Sequence, residues 1–248
     1  MNRFLVPLGF IAALVISVML WWFMPELVGE NIGHQLKQAG WLVPALIMLL
    51  ILQISFVIER LLSLRKAQGK GSMPEFLNNV RKRLHAGDVP GALQLCAQQR
   101  GSAANVMRAG LERYSLLKNE GAPKDKIVAE TQAAIQEASG LETPLLERNL
   151  IALSTIASIS TMVGLLGTVM GMIRSFAALG TSGAVDASKL AIGISEALIN
   201  TAGGLFVAII GIVMYNVFVT RVDSFNYMMD EASYEVLQLL AASAADKR

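Results

Sequence analysis

Residues 41–58 read WLVPALIMLLILQISFVI, eighteen residues without a single charge. A run of that length approaches the roughly 20 apolar residues that cross a bilayer's hydrocarbon. Within lipid every backbone N–H and C=O must be satisfied internally, so such a run is predicted to be helical. Three further apolar runs share this character, at residues 4–23, about 150–173 and about 190–219. The last is longer than one crossing, so its end is expected to project into water. Only 16% of the chain is charged and 54% is hydrophobic, with a mean hydropathy of +0.51. Soluble domains are nearer a quarter charged. The apolar excess collects in these runs, with a polar segment at residues 69–148 between them. The fold class that follows is an all-α integral membrane protein, its long transmembrane helices extending into a helical domain built from the polar segment.

The positive charges give this arrangement a direction. Arg60, Arg65, Lys66 and Lys70 crowd the exit of the second run, Arg221 follows the fourth, and Arg3 precedes the first. These ends, both termini included, are expected to be cytoplasmic, with residues 25–40 and the loop 180–188 facing outward. Arg174 falls on the outer side, against the rule. The first run follows a basic start and resembles a signal peptide, but no small-x-small cleavage site follows it. Trp21, Trp22 and Phe23 form an interfacial belt, and a retained helix is the expectation.

In the polar segment, Phe76, Val80 and Leu84 fall at helical spacing before a break at Gly87-Asp88. Asp88 is predicted to cap a helix with Pro90 in its first turn. Ser102 is predicted to cap another, with Val106, Ala109, Leu111 and Tyr114 on its apolar side. A long Ala-, Gln- and Glu-rich stretch opens at Pro123 and Asp125, with interruptions expected at Gly140 and Pro144. Residues 223–240 continue the fourth apolar helix, and residues 241–248 are expected to fray.

Composition excludes several classes of function. A net charge of +2 and no basic stripe interleaved with aromatics give no footprint for nucleic acid. His34 and His85 are the only histidines and Cys96 the only cysteine, so neither a metal site nor an intrachain disulfide is expected. No phosphate loop, nucleophile elbow, zinc-protease motif or nucleotide fingerprint occurs. The chain is not expected to be an enzyme or to hold a cofactor.

The informative pattern lies in the third and fourth apolar helices. Ser154, Ser158, Thr161, Gly164, Thr168, Gly171 and Ser175 recur every three or four residues, as do Gly193, Ala197, Thr201, Gly204, Ala208 and Gly211. Each set falls on one helical face. Two readings stay open: close packing of helix on helix, or a lined pathway or seat for a guest helix. Glu196 is the one carboxylate within the four runs, and an intramembrane ionisable residue is a functional candidate by default. A hydrogen bond to Asn200, one turn on, would give it a structural explanation instead. Only hydroxyls are offered at mid-membrane depth, so a proton relay there needs a carboxylate from a partner.

On these residues the chain resembles the ExbB/TolQ/MotA proton-channel family, with most likeness to ExbB. The residues that carry the likeness are Gly164-Leu-Leu-Gly-Thr-Val-Met-Gly-Met-Ile173 with Ser175-Phe176, and Ile194-Ser-Glu-Ala-Leu-Ile-Asn-Thr-Ala-Gly-Gly-Leu205 with Val207-Ala208 and Tyr215-Asn216. Glu59-Arg60 and Leu64-Arg65-Lys66-Ala67 are similar to the family's exit from its first conserved helix. The resemblance spans about residues 41–235.

Together with the apolar runs, the resemblance implies a domain plan. Residues 1–40 form an extra transmembrane helix and outward linker, 41–64 a conserved transmembrane helix, and 65–148 the helical cytoplasmic domain. Residues 149–220 form a pore-lining hairpin, and 221–248 a cytoplasmic helix and tail. It further implies a ring-forming pentamer in the bacterial inner membrane, with a dimer of single-span ExbD/TolR-like partners in the pore and a TonB- or TolA-like protein beyond. Thr168, Thr201 and Glu196 match the family's pathway residues. Ser158, Thr161, Gly164, Gly171, Ala197, Gly204 and Ala208 fall on the pore face in that reading. Its implied function is a motor subunit driven by the proton-motive force that energises TonB-dependent outer-membrane transport. A TolQ-like, gliding or secretion motor and a passive scaffold are the alternatives. Proton is the expected ion, with sodium open.

Overall fold

The computed structural model describes residues 5–23, 26, 40–181 and 187–243, with side chains from residue 11 onward apart from those of residues 178–181, 187, 189, 242 and 243. The linker 25–40, the loop 180–188 and the tail 241–248 therefore lie wholly or largely outside the described residues. Eight helices occur among the described residues: α1 (Leu5–Trp22), α2 (Leu42–Gln68), α3 (Met73–His85), α4 (Val89–Gln99), α5 (Ser102–Asn119), α6 (Lys124–Glu147), α7 (Leu150–Thr181) and α8 (Ala187–Ser243). The described fold is all-helical, and three of its helical stretches are long and apolar enough to cross a membrane: those containing α2, α7 and α8. The described side chains of α1 cover a shorter apolar helix, Ile11–Trp22.

The chain divides into two compact units, one of residues 1–59 and 149–217 and one of residues 60–148 and 218–248. The first is the apolar unit. Its core gathers Ala13 of α1, Leu49 and Leu52 of α2, Ile156 of α7 and Val207 of α8. α1 is seated by small side chains one turn apart, Ala13 and Ser17, while Ile11, Leu14, Val15 and Val18 stay exposed. Such wide apolar exposure suits lipid contact. Gln53 sits fully buried between helices, against Gly211 of α8.

The second, polar unit packs α3 to α6 with the C-terminal part of α8. From α8 come Phe218, Val222, Phe225, Met229, Ala232, Val236 and Leu240, all buried and three or four apart, which is one face of a helix. α5 and α6 meet where Gly110 admits Ile135. Arg60 is fully buried and donates to the Leu146 carbonyl at 3.3 Å, tying the end of α6 to α2. Ion pairs Arg81–Glu235, Arg83–Asp88 and Arg113–Glu130 decorate the surface.

Local details follow the sequence in part. Asp88 caps α4, accepting from the Gly91 N–H at 2.9 Å, with Pro90 in the first turn. That bond, and then the Arg83 guanidinium, hold the Asp88 carboxyl below its ordinary value. Ser102 is not the cap of α5. Gly101 takes the extended cap position and Ser102 is the first helical residue, because Gly101 passes so close to Ala67 and Gln68 that a side chain there would collide. The interruptions expected at Gly140 and Pro144 are absent, and α6 runs unbroken from Lys124 to Glu147. A proline ring presses on the carbonyl of the residue four before it. Here that residue is Gly140, which has open space around it and can yield.

Candidate functional site

α7 and α8 form an antiparallel pair whose contacts bracket one midpoint, close to position 184: Gly164 with Gly204, Thr168 with Thr201, Arg174 with Glu196 and Ala157 with Gly211. Close approach is made by residues without bulk. A Cβ on Gly204 would stand 2.5 Å from the Ser160 carbonyl oxygen and 2.8 Å from the Gly164 Cα. A Cβ on Gly171 would meet the Gly193 carbonyl at 2.7 Å. Backbones this close pack by van der Waals contact where lipid offers no hydrophobic drive.

The run of small residues on α7 divides into two faces. Ala157, Ser160, Gly164, Gly167, Gly171 and Ser175 are buried, and each glycine among them lies against α8. Ser154, Thr161 and Thr168 are half-buried and Ser158 is exposed, on a face turned roughly 90° from the first by helical geometry. The single face drawn from sequence therefore merges two. Gly164, Gly171, Ala197, Gly204 and Ala208 are buried, while Ser158 and Thr161 turn their hydroxyls back to the Ser154 and Ala157 carbonyls at 3.0 and 3.3 Å. Ser160 and Gly167 are contact residues that the sequence reading missed.

Where the two faces of α7 meet, three oxygens converge. The Thr168 and Thr201 hydroxyls are hydrogen-bonded to each other. Both also reach the Gly164 carbonyl, at 3.4 and 3.3 Å. Each hydroxyl has one proton to give and two lone pairs. The cluster can thus accept from a carboxylic acid or, after turning its hydroxyls, donate to a carboxylate, and both threonines are half-buried. No group in it titrates.

Glu196 is buried, with 7% exposure, and pairs at 2.5 Å with Arg174, whose side chain remains half-exposed. The carboxylate thus has a cation across the helix pair, which the sequence reading, looking along α8 to Asn200, did not foresee. Arg174, which stood against the charge rule, has its counter-ion there. Gly40, with φ +84°, completes the enclosure: a Cβ there would fall 2.5 Å from Glu196 Oε1 and 3.3 Å from the Arg174 guanidinium. The signal available in the sequence was symmetry, since Arg174 and Glu196 are nearly equidistant from the turn. Among the described residues no cluster of His, Cys, Asp and Glu that would hold a metal ion occurs.

Comparison with known proteins finds relatives of this chain. The chain is 35% identical over 170 residues to a biopolymer transport protein, ExbB-like 3, of Synechocystis sp., covering 68% of this chain and 75% of that one. It is 39% identical over 117 residues to the Tol-Pal system protein TolQ of Pseudomonas aeruginosa, covering 47% and 51%. It is 39% identical over 87 residues to the biopolymer transport protein ExbB of Salmonella typhimurium, covering 35% and 36%. The chain thus spans three quarters of the first relative, about half of the second and about a third of the third. Residues 98–231, which include α5 to α7 and most of α8, match the MotA/TolQ/ExbB proton channel family. More than half of the chain is matched, every residue of the three-oxygen cluster and the Arg174–Glu196 pair included, and the chain belongs to that family.

Proposed function

We propose that this chain is the ExbB-like subunit of an inner-membrane motor driven by the proton-motive force. In this reading it assembles as a pentameric ring around a dimer of single-span ExbD-like partners and, through a TonB-like protein, energises outer-membrane transport. Both termini face the cytoplasm, and α1 is a retained additional transmembrane helix. The observation that carries the reading is the cluster of Thr168, Thr201 and the Gly164 carbonyl, set in helices matched to a proton-channel family.

The chain supplies hydroxyls and the partner a carboxyl. A protonated carboxyl donates to a threonine oxygen, and after proton loss the carboxylate accepts from a threonine hydroxyl. The direction of hydrogen bonding between the ring and its guest reverses with each proton. The energies are commensurate. One charge crossing 100 mV carries about 2.3 kcal/mol, against roughly 0.6–2 kcal/mol for an interhelical hydrogen bond. Ser158 and Thr161 lie on the second face of α7, where a guest helix would approach, and Glu196 stands towards the turn end of the same pair.

A TolQ-like motor is the second reading. TolQ of Pseudomonas aeruginosa matches a longer stretch of this chain (47%) than ExbB of Salmonella typhimurium does (35%). The test is co-expression with candidate ExbD- and TolR-like partners, followed by ion flux in vesicles for wild type, Thr168→Val and Thr201→Val. Assembled variants are expected to lose flux about 3- to 30-fold, the scale of a lost interhelical hydrogen bond. Variants that assemble and conduct as well as wild type would reduce the hydroxyls to packing and overturn the pathway assignment.

A further inference from the structure

We propose that Arg174 is a positioning residue. Its ion pair with Glu196 fastens the turn end of the α7–α8 hairpin in the register that brings Thr168 to Thr201, and Glu196 anchors that fastening instead of carrying the transported ion. The flux arm of this inference rests on the channel reading above, while its structural arm does not.

Three observations point this way. First, the carboxylate is enclosed: Glu196 has 7% exposure, Arg174 reaches it from α7, and the backbone at Gly40 closes the third side. A group that relays an ion must face its source and its destination in turn, and this one faces a guanidinium. Among the described side chains Arg174 is its ion-pair partner, and the buried carboxylate is held by that contact. Second, the two pairs belong to one ladder. Arg174 lies six residues beyond Thr168, and Glu196 five before Thr201, so the ion pair and the hydroxyl pair are rungs of one antiparallel register, with the Gly171–Ala197 contact between them. Third, most glycine contacts between α7 and α8 limit distance more than sliding. Gly164, Gly171, Gly193 and Gly204 meet backbone or small groups, while Gly167 seats the Asn200 side chain and the Ser175 hydroxyl donates to the Leu190 carbonyl at 3.4 Å. The guanidinium gripping a carboxylate adds a charged, directional contact, placed towards the turn end of the pair.

The test separates register from conduction. Register is read by the disulfide yield of a Thr168→Cys/Thr201→Cys pair in a Cys96→Ala background, which needs no ion flow. Conduction is read by flux in chains that keep both threonines. Arg174→Ala and Glu196→Ala are each expected to lower the disulfide yield and the flux about fivefold, the upper end of the scale for an ion pair with one partner half-exposed. Arg174→Lys, which keeps the charge but not the fork, is expected to fall between them and wild type. The charge exchange Arg174→Glu/Glu196→Arg restores the pair and is expected to recover most of both readouts. Unchanged yield in the alanine variants would overturn the proposal. An exchanged variant that recovers the disulfide yet not the flux would overturn it too, since a carboxylate at position 196 would then be required in its own right. If the alanine variants fail to accumulate, the exchanged variant decides alone. A wild-type complex that conducts nothing would sink the channel reading, while the disulfide yields would still judge the fastening.

Discussion

The Ser160 carbonyl oxygen faces Gly204 across the α7–α8 contact so closely that any side chain at position 204 must push the helices apart. The opposing atoms are backbone, which cannot rotate away: a Cβ would lie 2.5 Å from that oxygen. Gly204→Ala is therefore expected to destabilise the protein by about 1–3 kcal/mol, the scale of overpacking. Gly203, one residue earlier, faces only the Leu46 Cδ1 at 3.2 Å, the free end of a side chain, and Gly203→Ala should cost much less. Thermal unfolding of the two variants in the same detergent gives the comparison. Equal losses would mean that the helix contact is looser than described.

Gln53 presents the opposite case, a polar group the apolar unit would be more stable without. It is fully buried, and among the described residues neither its amide nitrogen nor its carbonyl oxygen has a hydrogen-bond partner. An unmade bond of this kind costs about 1–3 kcal/mol. Gln53→Met, close in shape, is expected to raise the unfolding free energy by about 1 kcal/mol. A decrease instead would identify a role for the amide in the assembled protein.

The Asp88 cap gives α4 a dependence on pH with a definite sign. Its carboxyl is held below its ordinary value of 3.8 by the Gly91 N–H and then by Arg83. A group whose folded value is depressed contributes stability above the unfolded value, lost as pH falls through the folded one. Amides at the start of α4 should therefore lose protection against hydrogen exchange below about pH 4 once intrinsic rates are removed. In Asp88→Ala they should be weakly protected at every pH.

Cys96 should be chemically silent in the folded protein. It is buried, and burial pushes its thiol up to about 12, so almost no thiolate is present at neutral pH. Maleimide labelling is expected to run on the order of 100-fold slower in the native protein than in denaturant. Fast native labelling would mean that α4 opens readily.

How much of this could be read from the chain depended on whether the deciding neighbours were local. The Asp88 cap was legible because Asp, Val and Pro in succession specify a helix start by themselves. That residues 223–240 continue α8 was legible, while the face they bury is what the structure adds. Ser102 misled because the helix start there is set by Gly101 passing the end of α2, some 30 residues back. Gly140 and Pro144 looked like two breaks and proved to be one accommodation, a ring and the residue four before it that gives way. On α7 the small residues are dense enough to draw two faces, and a sequence alone does not choose which one meets α8. Thr168 and Thr201 were named from the family resemblance, and their pairing across the hairpin is what the structure adds. Arg174 looked like an exception until Glu196 was found beside it.

The three-oxygen cluster holds no titratable group, so in the proposed motor labour would be divided between the chains. Hydroxyls and a carbonyl set no acid threshold of their own. The pH at which such a motor engages would then be written in the partner, which under that proposal carries the acid.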